Sequence, residues 1–156
     1  MIKTEHTLFD RANEEWDAGR LQVAFDLFME AAKSGDVWAF NSLGYFYDQG
    51  ISVERNPKRA MEWYRKSAKS GDACGCLNLA TQYRDAGNIR CAKKWYIRAI
   101  EGGDADAALQ LGKLYLSGKS LKLAAKYLQI AKSSTFIDDD GKQEAEMLFL
   151  SLPREK

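Results

Sequence analysis

Few residues in this sequence could do chemistry, and they are scattered: one histidine, His6, three cysteines, Cys74, Cys76 and Cys91, and a carboxylate run at Asp138–Asp140. Histidine catalysis needs a nucleophile or a second base within hydrogen-bond reach. No convincing pair of that kind surrounds His6, and the expectation is a solvated or partner-facing side chain. Cys74 and Cys76 stand two apart, which on a helix sets them roughly 200° around the axis, so they cannot grip one metal ion. Cys76 is expected inside, and Cys91 at the start of a helix. A calcium loop spreads its ligands over about a dozen residues. Three consecutive aspartates lack that spread and read as a solvated helix start, favoured by the helix dipole. No phosphate-cradling glycine loop is present. The expectation is a protein that is not an enzyme and carries neither metal nor cofactor.

Two other groups raise nucleic acid. Arg90, Lys93, Lys94 and Arg98, then Lys119, Lys122, Lys126 and Lys132, fall by helical spacing on the outer face of predicted helices, where solvated charge is ordinary. A formal net charge of +1 lacks the basic excess of a nucleic-acid binder. Trp63, Tyr64, Trp95 and Tyr96 sit at core spacing and not on a stacking platform. Loss of binding on charge reversal at Lys93, Lys94 and Arg98 would favour the nucleic-acid reading.

The elements that position these residues come from composition and repetition. The 156 residues suit one compact domain or a short repeat array, and 46% apolar content supplies a core. Residues 1–36 carry net −4, residues 105–137 net +4 and residues 138–156 net −3. An odd, irregular cysteine set is not a disulfide framework. No secretory segment and no membrane-length apolar run is visible, so a reducing, cytoplasmic location is expected.

The phrase "KSGD" occurs at Lys33–Asp36 and Lys69–Asp72, with "EGGD" at Glu101–Asp104. Each closes a similar stretch: "AFDLFMEAAKSGD", "AMEWYRKSAKSGD", "AKKWYIRAIEGGD", and then "AAKYLQIAKSSTF", which loses the Gly-Asp. The leading alanines, Ala24, Ala60, Ala92 and Ala124, are 36, 32 and 32 residues apart. Between them lie "SLGYFYDQG", "NLATQYRDAG" and "QLGKLYLSG", and "ANEEWDAG" is a degraded first copy. This period, with two phrases per unit, means stacked helical hairpins. Gly-Asp is a stop beside a start: glycine takes the left-handed turn and aspartate caps the next helix. Gly19, Gly50, Gly87 and Gly118 are expected to end first helices. Asn88, Ser120 and Asn56 with Pro57 are expected to open second ones. Gly44, Ala80 and Gly112 mark close helix crossings. A capping-box variant over Asp140 to Gln143 opens a last amphipathic helix with Ala145, Leu148, Phe149 and Leu152 on one face, and Pro153 stops it.

On these residues the chain resembles the Sel-one-like repeat family, relatives of tetratricopeptide repeats. The carrying pattern is Ala39, Leu43, Gly44, Tyr47, Gly50, Ala60, Trp63, Ala68, Gly71 and Asp72 in the second unit. Later units repeat it, with Ala80 for the glycine and Tyr127 for the tryptophan. The resemblance implies an all-α, right-handed α-solenoid of about four helix-turn-helix repeats that binds other proteins, often as an adaptor. Some small bacterial members are thought to neutralise a toxin. The expected organisation is a repeat array over residues 1–137, in units of about 5–36, 37–72, 73–104 and 105–137, followed by a C-terminal capping helix over 138–153.

In this architecture first helices line a concave groove, and the stripe opposite Ala39, Leu43 and Tyr47 faces a partner. That stripe comprises Trp38, Asn41, Tyr45, Asp48 and Gln49. Its equivalents are Asn13, Trp16 and Asp17 before it, Thr81, Arg84 and Asp85 after it, and Lys113 in the last unit. Trp, Tyr and Arg dominate interface energies. The lysine and asparagine pattern of a carboxylate clamp is missing. The acidic start and basic later units suggest a charge gradient along the groove. The expected function is a non-catalytic protein-interaction module, adaptor or inhibitor, whose partner is another protein and not a membrane. One alternative is an immunity protein that neutralises a cognate bacterial toxin. The other is a nucleic-acid factor using the basic outer face.

Overall fold

The computed structural model describes residues 7–153, so His6 lies outside the described residues. Nine α-helices and no strand are found among them: α1 (Leu8–Asp17), α2 (Leu21–Lys33), α3 (Ala39–Gln49), α4 (Pro57–Lys69), α5 (Ala73–Asp85), α6 (Ile89–Glu101), α7 (Ala105–Ser117), α8 (Leu121–Ser133) and α9 (Asp139–Leu150). The chain divides into two compact units between Gly75 and Cys76, early in α5.

The turns follow from the polar phrases. Gly35, Gly71 and Gly103 each have φ near +90°, a conformation that side chains other than glycine's rarely adopt. Asp36 then accepts from the Trp38 N–H (3.0 Å), Asp72 from the Cys74 and Gly75 N–H groups (both 3.1 Å), and Asp104 from the Ala107 N–H (2.8 Å). Asn56 and Asn88 cap α4 and α6 as the sequence predicts, accepting from the Arg59 and Cys91 N–H groups. Three details differ. Gly118 keeps φ at −81°, and Lys119 takes the left-handed turn instead, at +57°. Ser120 precedes α8 without a side-chain cap bond. The cap of α9 is Asp138, which accepts from the Gly141 N–H at 2.7 Å, so the helix starts earlier than a box beginning at Asp140 would allow.

In the first unit α1 packs along α2, α2 along α3 and α3 along α4. Ala24, Phe25, Phe28 and Ala31 recur at helical spacing on α2 and are buried. Phe46 of α3 anchors the core. It meets Phe25 at 5.4 Å, Phe28 at 6.0 Å and Trp16 at 5.0 Å between ring centroids, tilted or edge-on as aromatic quadrupoles prefer. Burying one such ring contributes about 1.5–3 kcal/mol. Gly44 lets α4 approach, because the Tyr64 ring lies where a Cβ would stand. Ser67, fully buried, donates its hydroxyl to Asp72, tying the end of α4 to the next turn.

In the second unit α6 packs on α7, α7 on α8 and α8 on α9. Ala105, Ala108, Leu109, Leu128, Ala131, Ile137 and Ala145 form a continuous core, against which Leu148, Phe149 and Leu152 lie. Gly112 admits Leu128 in the same way that Gly44 admits Tyr64.

Candidate functional site

The stripe read from the sequence separates into groups that the fold consumes and groups that it leaves exposed. In the first unit Trp38 directly precedes α3, its N–H held by Asp36, and its side chain is 65% exposed. Tyr45 lies seven residues on, two helical turns and roughly 10 Å along the same face, and is 42% exposed. Asn41 is half-buried between them, and Gln49 continues the face as an exposed side chain. Trp16 of α1 is half-buried, not fully displayed. It leans on Tyr45 at 5.8 Å and edge-on against Phe46 at 5.0 Å. Trp16 and Tyr45 therefore form a supported aromatic ledge two helical turns along from Trp38, with Asp17 exposed at its α1 end.

Other members of the stripe are engaged within the protein. The Asn13 amide donates to the Phe9 carbonyl at 3.0 Å. The Asp48 carboxylate faces the Tyr64 hydroxyl at 3.5 Å, and the Asp48 carbonyl accepts from Arg55 Nε at 2.8 Å. Burial, with the Asp48 carboxylate beside it, pushes the Tyr64 phenol far above its ordinary range.

In the second unit the Thr81 hydroxyl pairs with the Tyr96 hydroxyl at 3.2 Å. Arg84 pairs with Asp85 at 2.9 Å and donates to Gln110 at 3.1 Å. Lys113 forms an ion pair with Glu144 of α9 at 2.7 Å. Of these positions Asp85 is exposed, Thr81 and Arg84 are half-buried, and the Lys113 side chain is partly exposed beside Glu144. Gln110 and Glu144 as partners were invisible to periodicity, because each comes from a different helix and depends on how helices meet.

The remaining chemistry-bearing residues are dispersed. Cys74 is exposed, Cys76 buried and Cys91 half-buried, and none of the three is in a disulfide. No three His, Cys, Asp or Glu side chains converge on a metal-sized site among the described residues. Tyr64 and Tyr96 are core, whereas Trp63 and Trp95 are half-buried and lie under Lys66 and Arg98, at 3.9 and 4.9 Å from the ring centroids. No described helix is long and apolar enough to cross a membrane. An open cleft of about 400 Å³ in the second unit is lined mainly by Ile100, Ala105, Ile130 and Phe136; its carboxylate, Asp104, already caps α7.

Comparison with known proteins adds three findings. The family model of the Sel1 repeat matches residues 41–72, 76–104 and 105–134. The sel1-like repeat-containing protein L21 of Acanthamoeba polyphaga mimivirus is 33% identical over 63 residues, 40% of this chain and 12% of that one. Two solved structures share the all-α solenoid class. A Sel1 repeat protein from Oxalobacter formigenes has a TM-score of 0.71 at 29% identity, over 79% of this chain and 54% of that one. The protective antigen c5321 of uropathogenic Escherichia coli, which displays an SLR fold, has a TM-score of 0.81 at 28% identity, over 91% of this chain and 32% of that one. This chain thus spans only about an eighth to a half of the length of these relatives.

Proposed function

Because the chain belongs to the Sel1 repeat family, whose members are in general non-catalytic protein-interaction scaffolds, we propose that it binds a partner protein through the exposed face of α1 and α3. The observation that carries this reading is Trp38. A tryptophan 65% exposed, with Tyr45 42% exposed two turns away, leaves apolar surface in water that a partner would remove from it. Tryptophan and tyrosine add large contact area at low entropic cost and keep a polar edge for hydrogen bonding. Trp16 supports Tyr45 from behind, which fixes the ring before a partner arrives. The module holds its partner by shape and apolar contact and acts as an adaptor or as an inhibitor. Three cysteines outside any disulfide fit a reducing, cytoplasmic compartment.

The test is a double substitution, Trp38→Ala with Tyr45→Ala. Neither side chain lies in the core, so helicity stays as in the parent and the thermal transition falls by no more than loss of the Tyr45–Trp16 contact explains. Partner capture falls at least thirtyfold, as expected when two interface anchors worth ~2 kcal/mol together are lost. Undiminished capture by a folded double variant would remove this face from the reading. The captured material also separates the modes. An adaptor brings down two proteins that meet only through it. An inhibitor or a toxin-neutralising immunity protein silences the single protein it covers.

A further inference from the structure

The second unit carries a patch of charge that the fold leaves unanswered. From Ala86 to Ile100 and from Ala107 to Ile137 the sequence holds no aspartate or glutamate. α6, α7 and α8 run antiparallel in turn, so the start of α6, the end of α7 and the start of α8 lie at one end of the unit. Arg90, Lys93, Lys94, Lys119, Lys122 and Lys126 all belong to that end. None of the six forms an ion pair among the described residues. In the same unit Lys113 meets Glu144, and Asp85, the carboxylate that ends α5 just before α6, is already taken by Arg84, so cations here do find carboxylates where the sequence supplies them. Lys122 and Lys126 stand one turn apart, as do Arg90 and Lys94, and like charges at that spacing repel.

Two tyrosines organise the patch. Tyr115 of α7 and Tyr127 of α8 stack with centroids 5.6 Å apart and planes within 8° of parallel. Lys93 of α6 places its ammonium 4.3 Å from the centre of the Tyr115 ring, and Lys126 lies 5.3 Å from that of Tyr127. A cation on a ring face is positioned but not neutralised. α6 and α8 thus hold two ammonium groups at fixed places on the paired rings of α7 and α8.

We propose that this end of the second unit binds a carboxylate-rich polypeptide segment, a run of aspartate and glutamate on a partner, at a surface additional to the aromatic face of the first unit. The partner's carboxylates supply the counter-charges that the chain lacks here. Lysine suits a flexible acidic run, because it acts as a point charge and needs no fixed planar fork. Single-stranded nucleic acid fits less well. It binds through bases laid on open aromatic faces, and here the Tyr115 and Tyr127 rings are stacked on each other with lysines over them.

The experiment titrates the whole chain with a fluorescent decaglutamate peptide, and separately with a thymidylate oligonucleotide of equal charge, at several salt concentrations. The peptide binds, and binding weakens as salt rises. Lys93→Gln with Lys126→Gln weakens it at least tenfold, whereas Lys93→Arg with Lys126→Arg retains it. Lys33→Gln with Lys69→Gln, a control of equal charge in the first unit, changes it less than twofold. Tyr115 and Tyr127 ring resonances shift on saturation. Should the first pair disturb folding, Lys94→Gln with Lys122→Gln, at exposed positions off the rings, carries the same expectation. Absence of peptide binding, an equal loss in the control, or tighter binding of the oligonucleotide overturns the proposal. Because the aromatic face plays no part in this assay, the outcome is independent of the Trp38 and Tyr45 test.

Discussion

Gly44→Ala tests the close approach of α4 to α3, and its sign is decided by two opposing effects. In an open helix, alanine for glycine stabilises by about 1 kcal/mol. At residue 44 the added Cβ would stand 2.5 Å from Tyr64 Cε1 and 3.1 Å from Cγ, and closer still to Cδ1. Carbon atoms in ordinary contact are about 3.5–4.0 Å apart. Tyr64 is 2% exposed, so its ring cannot move aside without displacing buried neighbours or opening the core. Overpacking a filled core costs about 1–3 kcal/mol, and a whole ring edge at such distances belongs at the upper end. The net expectation is a loss of about 1–2 kcal/mol. Ala80 provides an internal comparison, since it is the same substitution already made by the sequence. Opposite it, the buried Tyr96 sends its hydroxyl to Thr81, one residue on, whereas Tyr64 reaches Asp48, four residues beyond Gly44. The two equivalent tyrosines thus bond at different points along the facing helix. Urea unfolding followed by tryptophan fluorescence reads the first unit mainly, through Trp16, Trp38 and Trp63. With slopes of about 1–3 kcal/mol per molar, the midpoint drops by roughly 0.3–2 M. Adding Tyr64→Leu to Gly44→Ala restores part of the loss, because the two positions are coupled. An unchanged or raised midpoint for Gly44→Ala refutes the close-crossing account.

Three further outcomes follow from single contacts. Asn88→Ala removes the bond to the Cys91 N–H and lowers stability by about 1 kcal/mol, seen as a lower thermal midpoint. A double-mutant cycle on Lys113 and Glu144, 40% and 42% exposed, gives a coupling of at most about 1 kcal/mol that shrinks in high salt. A coupling beyond that would place the pair in a drier setting than the structure shows. Tyr64 has its folded-state pKa raised, by burial first and then by Asp48, so the folded protein keeps the proton that the unfolded chain releases. Its contribution is complete below about pH 10 and declines above it, at up to about 1.4 kcal/mol per pH unit. Spectrophotometric titration shows the Tyr64 phenol ionising only above the ordinary range of a tyrosine, and ionisation within that range would contradict the burial.

What could be read in the sequence divides along a physical line. Turns were legible because they depend on two or three adjacent residues: Gly35, Gly71 and Gly103 need a left-handed backbone whatever surrounds them. Where the same logic failed, a neighbour could do the work as well. Lys119 takes the positive φ that Gly118 was expected to take, and Asp138 caps α9 in place of Asp140, because a short polar loop offers several residues for each duty. Close crossings were legible at Gly44 and Gly112, since a mid-helix glycine carries a propensity cost that only packing offsets. Gly75 went unrecognised. A Cβ there would stand 2.6 Å from that of Ser67, and nothing in the local pattern announces a serine as the neighbour.

The candidate surface was legible only as a stripe, and the reason lies in what a stripe contains. Periodicity assigns Trp16 and Trp38 to equivalent faces, yet one rests on Phe46 and the other stands in solvent. It assigns Thr81, Arg84 and Lys113 to that face as well, yet each has its partner on another helix. For a binding partner the difference is energetic. Engaging Lys113 means breaking its pair with Glu144, so what is gained on one side is largely lost on the other. Engaging Trp38 removes apolar area from water, and engaging Lys93 or Lys126 gives a carboxylate to an ammonium that has none. Capacity for interaction resides in the groups that folding has not already satisfied, and helical spacing alone cannot identify those. It takes the contacts between helices to show which members of each stripe remain available.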